Sequence, residues 1–336
     1  MLRFLSLILA AALVPQVARA EDTPKPTFEQ AQKLAAHGRL DQALAVLDQL
    51  ATQIPEPAGV ERLRGTIFYQ KEQVPDAIAA FSKAEAQDAG DRESIEMHGV
   101  ALFRMGKPEE AVPLLERAHA AVEGANIDPQ YILGLCYAHV KRFGDARHAF
   151  AAQYGFAPDS AEAYLLAARL FLRSEFVDEA RNEALNALRL NPRLPLAHQL
   201  LGEASLAKGD LPDAIKELEA ERDINPLDGM LYERLGDAYL RSGQLASAQQ
   251  VLNRAVLLEP SSTAPYILLG QTFLKLGHPI EALHYLDHAE KMDPSNYHTH
   301  YLLGQAYKAT GQLSEADREI RQSVALQQAQ PGAQGK

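Results

Sequence analysis

The chain has 336 residues, of which 47% are hydrophobic and 23% charged, and it contains no tryptophan. This composition is typical of a globular protein and excludes a chain that is disordered throughout. The formal net charge of −11 is spread along the chain, which disfavours general binding to nucleic acid or to an anionic membrane surface.

The first twenty residues, MLRFLSLILAAALVPQVARA, differ from the rest of the chain. Arg3 provides a basic start, an apolar run extends to Val14, and Ala18-Arg19-Ala20 has the small-residue pattern of a cleavage site. We therefore predict a signal peptide over residues 1–20, cleaved after Ala20, and an exported bacterial protein that is periplasmic or secreted. An uncleaved anchor or a buried helix is the alternative, although the apolar run is too short to span a bilayer.

Cleavage would remove two arginines and leave 31 basic residues against 44 acidic ones, a formal net charge of −13. No later stretch of the sequence is long and apolar enough to cross a membrane. We therefore expect no integral membrane segment after removal of the signal peptide.

A pattern with a period of 34 residues runs through the remainder of the chain. Glycine or alanine fills one place in every row, at Ala31, Gly65, Gly99, Gly134, Ala168, Gly202, Gly236, Gly270 and Gly304. Twelve residues later all nine rows have alanine, at Ala43, Ala77, Ala111, Ala146, Ala180, Ala214, Ala248, Ala282 and Ala316. Self-similarity at this period indicates a helical repeat protein.

Each row predicts two amphipathic helices, because its apolar residues recur at spacings of three and four. Six rows have a glycine between the two helices, where a left-handed residue can end the first one, at Gly38, Gly106, Gly209, Gly243, Gly277 and Gly311. Six rows close with a proline that cannot continue the second helix, at Pro55, Pro158, Pro192, Pro226, Pro260 and Pro294. One such hairpin cannot bury both of its apolar faces, so the rows must stack.

This pattern resembles that of the tetratricopeptide-repeat (TPR) family. Residues 263–294 carry the family's positions most completely, at Tyr266, Leu269, Gly270, Phe273, Ala282, Leu286, Ala289 and Pro294. The departures are Ala31 and Ala168 for the glycine, Ser205 for the aromatic residue, and Gln153 and Glu221 for the second alanine.

The resemblance implies an all-α fold, an α-solenoid wound as a right-handed superhelix of nine stacked TPR helix-turn-helix repeats over residues 24–330. The repeats are expected to start near residues 24, 58, 92, 127, 161, 195, 229, 263 and 297. Residues 331–336 are polar and lack core-forming side chains, so we predict a disordered tail.

Little of the sequence is left for chemistry, and we predict no catalytic residue, metal or cofactor. Cys136 falls in a small-residue place of the pattern and is predicted to be a buried, inert thiol. Ser205 and Lys208 match S-x-x-K, but the companion motifs of that enzyme class are absent. A metal-dependent or hydrolytic enzyme is therefore an alternative without a supporting motif.

Histidines are the remaining candidates for chemistry. His284 and His288 have a spacing that can share a metal, but they fall outside the packed places, so we predict that they are surface residues. His278 lies beside the turn glycine. His198 and His300 occupy a packing place and are predicted to be structural rings.

A binding surface is the better hypothesis. The family resemblance implies that the first helix of each repeat lines the concave side and that the second, fifth, ninth, twelfth and thirteenth places of a row face it. The fifth and twelfth places contain many apolar residues and the thirteenth contains basic ones, which together could hold an extended peptide through apolar side chains and carboxylates. The residues predicted to bind a partner are Tyr131, Leu165, Leu172, Arg173, Leu206, Leu240, Arg241, Ile267, Leu274, Lys275 and Tyr301.

The alternative to a binding groove is that the apolar residues pack between repeats while the charges are merely solvated.

The function that follows from the sequence is a non-enzymatic scaffold or adaptor of the cell envelope that binds a protein or peptide in its concave groove. A periplasmic chaperone or assembly factor for a secretion or polysaccharide-export system is the alternative, and the oligomeric state is left open.

Overall fold

A computed structural model describes residues 26–119 and 129–329 of the chain. The predicted signal peptide and the predicted tail over 331–336 lie outside these residues. Within them the chain folds into eighteen α-helices and forms no strand. The predicted fold class, an α-solenoid of helix-turn-helix repeats, is confirmed.

The chain divides into two compact units, the first ending at Met105 and the second beginning at Gly106. In the first unit, each helix packs against the next one along the chain. Its helices are α1 (Phe28–Ala36), α2 (Leu40–Ala51), α3 (Val60–Gln70), α4 (Val74–Gln87) and α5 (Arg92–Arg104).

The second unit contains thirteen helices, which also pack in chain order. They are α6 (Pro108–His119), α7 (Pro129–His139), α8 (Phe143–Tyr154), α9 (Ala161–Arg173), α10 (Val177–Leu190), α11 (Ala197–Lys208), α12 (Leu211–Ile224), α13 (Gly229–Arg241), α14 (Leu245–Leu258), α15 (Ala264–Leu276), α16 (Pro279–Met292), α17 (Tyr297–Ala309) and α18 (Leu313–Ala329). The odd-numbered helices are the first helices of the rows, and each begins at or within four residues after its expected start.

The two columns of small residues mark where the paired helices approach each other. All nine alanines of the second column are at most 5% exposed. A Cβ added to Gly270 would lie 2.4 Å from Cγ of Leu286, and one added to Gly134 would lie 2.4 Å from Cε1 of Phe150. The glycine column is therefore small because a large side chain of the partner helix fills the space above it.

The first helix of every row ends at the same place, in a left-handed residue. Six rows use the predicted glycine there, with φ between 72° and 80°. The sequence prediction is incomplete in the other three rows, where Glu72, Lys141 and Glu175 adopt φ of 62° to 65°. The residue after each of them donates a backbone hydrogen bond to the carbonyl five residues earlier, as Phe176 does to Phe171 at 2.9 Å. This bond closes the helix end whichever residue occupies the left-handed place.

First helices of successive repeats contact one another in the second unit. The contacts run from α9 to α11, from α11 to α13, from α13 to α15 and from α15 to α17. One face of the stack is therefore built from first helices alone, and this face positions the candidate site.

Candidate functional site

A groove of about 450 Å³ lies on the face formed by α9, α11 and α13. All five family places of the row that starts at residue 161 line it, namely Glu162, Leu165, Arg169, Leu172 and Arg173. These places are brought together because residues three, four and seven apart share one side of a helix.

The lining of the groove is mostly apolar. Leu165 and Leu172 from α9 face Leu200 from α11 and Met230 from α13. Met230 is 46% exposed and Phe156, from the loop before α9, is 39% exposed. Exposed apolar side chains gathered in one depression are typical of a binding surface.

A second depression of about 400 Å³ continues from the first one. The two share Leu172, Glu203 and Arg234. The second adds Leu206, Ala207, Asp237 and Arg241. We treat the two depressions as one groove across three successive repeats and call it the α9–α13 groove.

Two arginines of the α9–α13 groove are neutralised by nearby carboxylates. Arg234 lies 3.6 Å from Glu203 and 3.5 Å from Glu233. Arg241 lies 3.4 Å from Asp237, four residues earlier on the same helix. These pairs remove most of the net charge from the α13 side of the groove.

Two other arginines of the groove have no such carboxylate partner. Arg169 and Arg173 are exposed on α9, and neither forms an ion pair or hydrogen bond with any other residue among those described. The positive charge of the groove is therefore concentrated on one helix, within a chain whose formal net charge is −11.

The structure brings five of the eleven predicted binding residues into the α9–α13 groove. These are Leu165, Leu172, Arg173, Leu206 and Arg241.

The other six lie elsewhere. Tyr131 is half-buried near Phe150, with 5.9 Å between ring centroids. Ile267 and Leu274 are half-buried against the core, whereas Lys275 is exposed.

Tyr301 is 46% exposed and stacks with His298. Leu240 requires a correction, because it is only 2% exposed and belongs to the hydrophobic core of the second unit. For this residue the alternative of packing between repeats holds.

Sequence reasoning missed several residues of the α9–α13 groove. Arg169 occupies the ninth place of its row, and its position alone could have identified it. Met230 occupies the second place of its row and Gln199 the fifth place of its row, so these family places could also have identified them. Phe156 lies in a loop and Arg234 in a sixth place, so no periodic signal marks them.

Two family models described as "Tetratricopeptide repeat" match the chain, one at residues 165–229 and 206–265 and the other at residues 273–335. The chain is a tetratricopeptide-repeat protein. TPR proteins of this type serve as protein-interaction scaffolds, and the fold is typically non-enzymatic.

The N-terminal part of this TPR chain also matches a family model. A model described as the N-terminal domain of the ESX-1 type VII secretion system protein EccA1 matches residues 16–171. No curated protein sequence matches the chain.

Solved structures also resemble the chain, at low sequence identity. Cut9, in the APC/C hetero-tetramer Cut9–Hcn1, is 17% identical with a TM-score of 0.50, over 87% of this chain and 58% of that one. MamA from Desulfovibrio magneticus RS-1 is 22% identical with a TM-score of 0.48, over 52% of this chain and 98% of that one. YrrB, a TPR protein with an unusual peptide-binding site, is 22% identical with a TM-score of 0.46, over 51% of this chain and 88% of that one.

The structure also shows where the residues considered as candidates for chemistry lie in the TPR repeats. Cys136 is fully buried, and burial raises the pKa of its thiol to about 12. Ser205 is 2% exposed and donates to Asp213 at 2.7 Å, while Lys208 pairs with Asp178 instead. The S-x-x-K match therefore has no serine–lysine contact.

The predicted surface histidines are exposed, at His278, His284 and His288. The ring of His288 stacks on Tyr266, with 4.4 Å between centroids. His198 is half-buried, and its Nδ1 lies 2.7 Å from Glu217.

A cluster that the sequence did not indicate consists of Glu290, His300 and Glu319, whose ligand atoms lie within 4.8 Å of one another. His300 is 4% exposed. Its Nδ1 lies 2.7 Å from Glu319, and its Nε2 lies 3.0 Å from the carbonyl oxygen of Pro294.

A carbonyl oxygen only accepts hydrogen bonds, so Nε2 must donate to it. A carboxylate oxygen also only accepts, so Nδ1 donates to Glu319 and the ring is protonated on both nitrogens in this arrangement. The cluster is therefore better described as a hydrogen-bonded imidazolium–carboxylate pair.

Among residues 26–119 and 129–329, no helix combines the length and the hydropathy that crossing a bilayer requires.

Proposed function

We propose that this TPR protein is an exported scaffold of the cell envelope that holds a segment of a partner protein in the α9–α13 groove. The observation that carries the proposal is the groove itself. Three first helices line it with apolar side chains, of which Met230 is 46% exposed, beside two arginines that no described residue neutralises. An extended peptide can fill such a groove with side chains and bind the arginines with carboxylates.

The envelope location is supported by the first twenty residues, which combine a basic start, an apolar run and a small-residue cleavage pattern. Export predicts that deletion of residues 1–20 leaves the protein in the cytoplasm. Fractionation of cells that express the two forms tests this. Equal amounts of both forms in the cytoplasmic fraction would remove the envelope from the proposal.

A second candidate is a chaperone or assembly factor for a secretion system. The match of residues 16–171 to the N-terminal domain of a type VII secretion protein favours it. The corresponding role in polysaccharide export has no comparable support. This candidate differs from the first in the partner, which would be a substrate or component of the secretion machinery and not a resident envelope protein.

A crosslinking pull-down from envelope extract tests the groove and separates these candidates. The full chain is compared with Leu165→Ser/Leu172→Ser, which removes apolar lining, and with Met230→Glu, which changes an exposed position. The matched control is Leu190→Ser/Leu257→Ser, since these leucines are 58% and 74% exposed outside the groove.

We expect the control to capture the same partner as the unmodified chain and both groove variants to lose it, with far-UV circular dichroism showing that every variant is folded. The identity of the captured protein decides between a resident partner and a secretion component. Capture by the folded groove variants at the unmodified level would place binding on another surface.

A further inference from the structure

We propose that the α9–α13 groove selects an extended segment of a partner protein in which an acidic side chain lies next to apolar ones, and that Arg169 and Arg173 bind the carboxylate. This inference rests on the proposed function and specifies the chemistry of its ligand. It concerns the α9 side of the groove, where charge and apolar surface occur together.

The arginines on the two sides of the groove are neutralised unevenly. On α13, Arg234 and Arg241 each have a carboxylate within 3.6 Å. On α9, Arg169 and Arg173 have no such partner among the described residues. A guanidinium that the protein itself does not neutralise favours an anionic group from outside, and its planar set of donors suits a carboxylate.

The spacing of residues on α9 brings charge and apolar surface together. Arg169 and Arg173 are four residues apart, so their side chains project from the same side of the helix. Leu165 and Leu172 line the same groove. One short segment can therefore place a carboxylate and an apolar side chain on this helix at the same time, without spanning a whole repeat.

The groove lining also contains an unsatisfied hydrogen-bond acceptor. Gln199 is 7% exposed, and its Nε2 donates to Glu203 at 3.1 Å. Its Oε1 is buried and accepts no hydrogen bond. A buried acceptor without a donor is costly, so a rotation of this side chain that brings Oε1 to a backbone N–H of an extended segment would gain a hydrogen bond.

The acidic residues of the groove restrict where the ligand's carboxylate can lie. Glu203 and Asp237 already bind donors of the protein. Glu162 lies about two helical turns before Arg169, roughly 10 Å along α9. The acidic group of the ligand is therefore expected near the C-terminal half of α9, away from Glu162. Residues 330–336, QPGAQGK, contain no acidic side chain and do not fit this description.

A random heptapeptide library displayed on phage and panned on the full chain tests the inference without assuming a partner. We expect the selected peptides to be enriched in Asp or Glu adjacent to Leu-like residues. The best peptide and its counterpart with Asn or Gln in place of the acid are then titrated by fluorescence polarisation. The acidic form should bind at least about tenfold more tightly, since hydrogen bonds to charged groups exceed neutral ones.

The variant Arg169→Gln/Arg173→Gln should bind both peptides equally and as weakly as the unmodified chain binds the neutral one. Its matched control is Arg189→Gln/Arg193→Gln, which makes the same charge change at two arginines outside the groove. The control should keep the full preference for the acidic peptide.

The outcomes separate this inference from the proposed function. Peptides without an acidic bias that lose binding to Met230→Glu or Leu165→Ser/Leu172→Ser would overturn the ligand chemistry and leave the groove in place. Peptides that bind every groove variant equally, or a library without any enrichment, would overturn both. Self-association of the full chain that Arg169→Gln/Arg173→Gln abolishes would make a second copy the occupant and would also contradict the proposal.

Discussion

At the scale of single residues, most hairpins contain a matched pair of one small and one large residue sixteen positions apart. Six glycines have such a partner at less than 3.0 Å from an ideal Cβ. The pairs are Gly65 with Phe81, Gly134 with Phe150, Gly202 with Leu218, Gly236 with Leu252, Gly270 with Leu286 and Gly304 with Ile320. Where Ala168 replaces the glycine, the partner place holds the small residue Ala184, and both are fully buried. Glycine is therefore needed where a large partner side chain lies directly over it.

Gly134→Ala should destabilise the protein by about 1–3 kcal/mol, because the new methyl group would lie 2.4 Å from the ring of Phe150. That ring is fully buried and packs near Tyr131 and Phe171, so it has little room to move. The loss is measured as a lower midpoint of thermal unfolding.

Gly144→Ala is the matched control in the same hairpin. Apart from its chain neighbours and the adjacent backbone of its own helix, no atom lies within 4 Å of the position that its new methyl group would take, and its φ is not positive. The substitution should therefore stabilise by up to about 1 kcal/mol through helix propensity. Equal effects of the two substitutions would contradict the packing argument.

His300 provides a pH-dependent contact at the same scale. Burial opposes the charged ring, but the hydrogen bonds to Glu319 and to the carbonyl of Pro294 outweigh it, so the pKa of His300 is raised above its usual value near 6.5. A raised pKa in the folded state means that the stabilisation is complete below pH 6.5 and is lost as the pH rises through the folded pKa. The carboxylates of Glu290 and Asp293 also interact electrostatically with this ring.

Amide hydrogen exchange in α17 and α18, corrected for intrinsic rates, should therefore show stronger protection at pH 6 than at pH 9. His300→Tyr is the control, because Tyr232 and Tyr266 occupy the same place and donate to the carbonyls of Pro226 and Pro260. This variant should lose the pH dependence. Identical pH profiles in the two proteins would exclude His300 as the cause.

At the scale of helices, two departures from the family pattern have structural explanations that the sequence did not contain. Ser205 stands where an aromatic residue is expected, and it shares Asp213 with Arg181 of the preceding repeat, at 2.7 Å and 2.8 Å. Glu221 stands where an alanine is expected and is fully buried. Its carboxylate accepts from the backbone N–H of Leu196 at 2.7 Å and of Gln199 at 3.4 Å, at the start of α11.

Glu221→Ala introduces the residue that the family pattern expects, yet it should destabilise the protein by about 1–3 kcal/mol because a buried donor at the helix start loses its acceptor. Urea unfolding measures the cost, and hydrogen exchange at Leu196 and Gln199 locates it. Glu221→Gln retains one acceptor oxygen and should cost less. An alanine variant as stable as the unmodified chain would show that water replaces the carboxylate without loss.

At the scale of the whole molecule, the sequence predicted the helix pairs because their period depends on backbone geometry and on small residues that repeat. It did not predict which rows form a groove. That outcome depends on whether a given side chain is covered by the next repeat, as Leu240 is, or left open, as Leu172 and Met230 are. It also depends on which charges find partners, which separates Arg241 from Arg173 although both hold the thirteenth place.

Contacts between neighbouring elements predict that damage stays local. Leu286→Ala removes a fully buried side chain of α16 and should cost about 2–5 kcal/mol. In a repeat protein this loss acts on adjoining repeats first. Hydrogen exchange should accelerate in α15 to α18 and stay unchanged in α9 and α10. Uniform acceleration over all these helices would indicate that the second unit unfolds as one cooperative body.

The matched small and large residues also bear on how such a chain can change its length during evolution. Both members of each pair belong to the same hairpin, sixteen residues apart, so a duplication or loss of 34 residues carries complete pairs with it. The new row then already contains a well-packed core, and only the surfaces where it meets the two neighbouring rows have to change. Reach along a partner could therefore grow or shrink by one hairpin per genetic event, while the specificity of the existing rows is preserved.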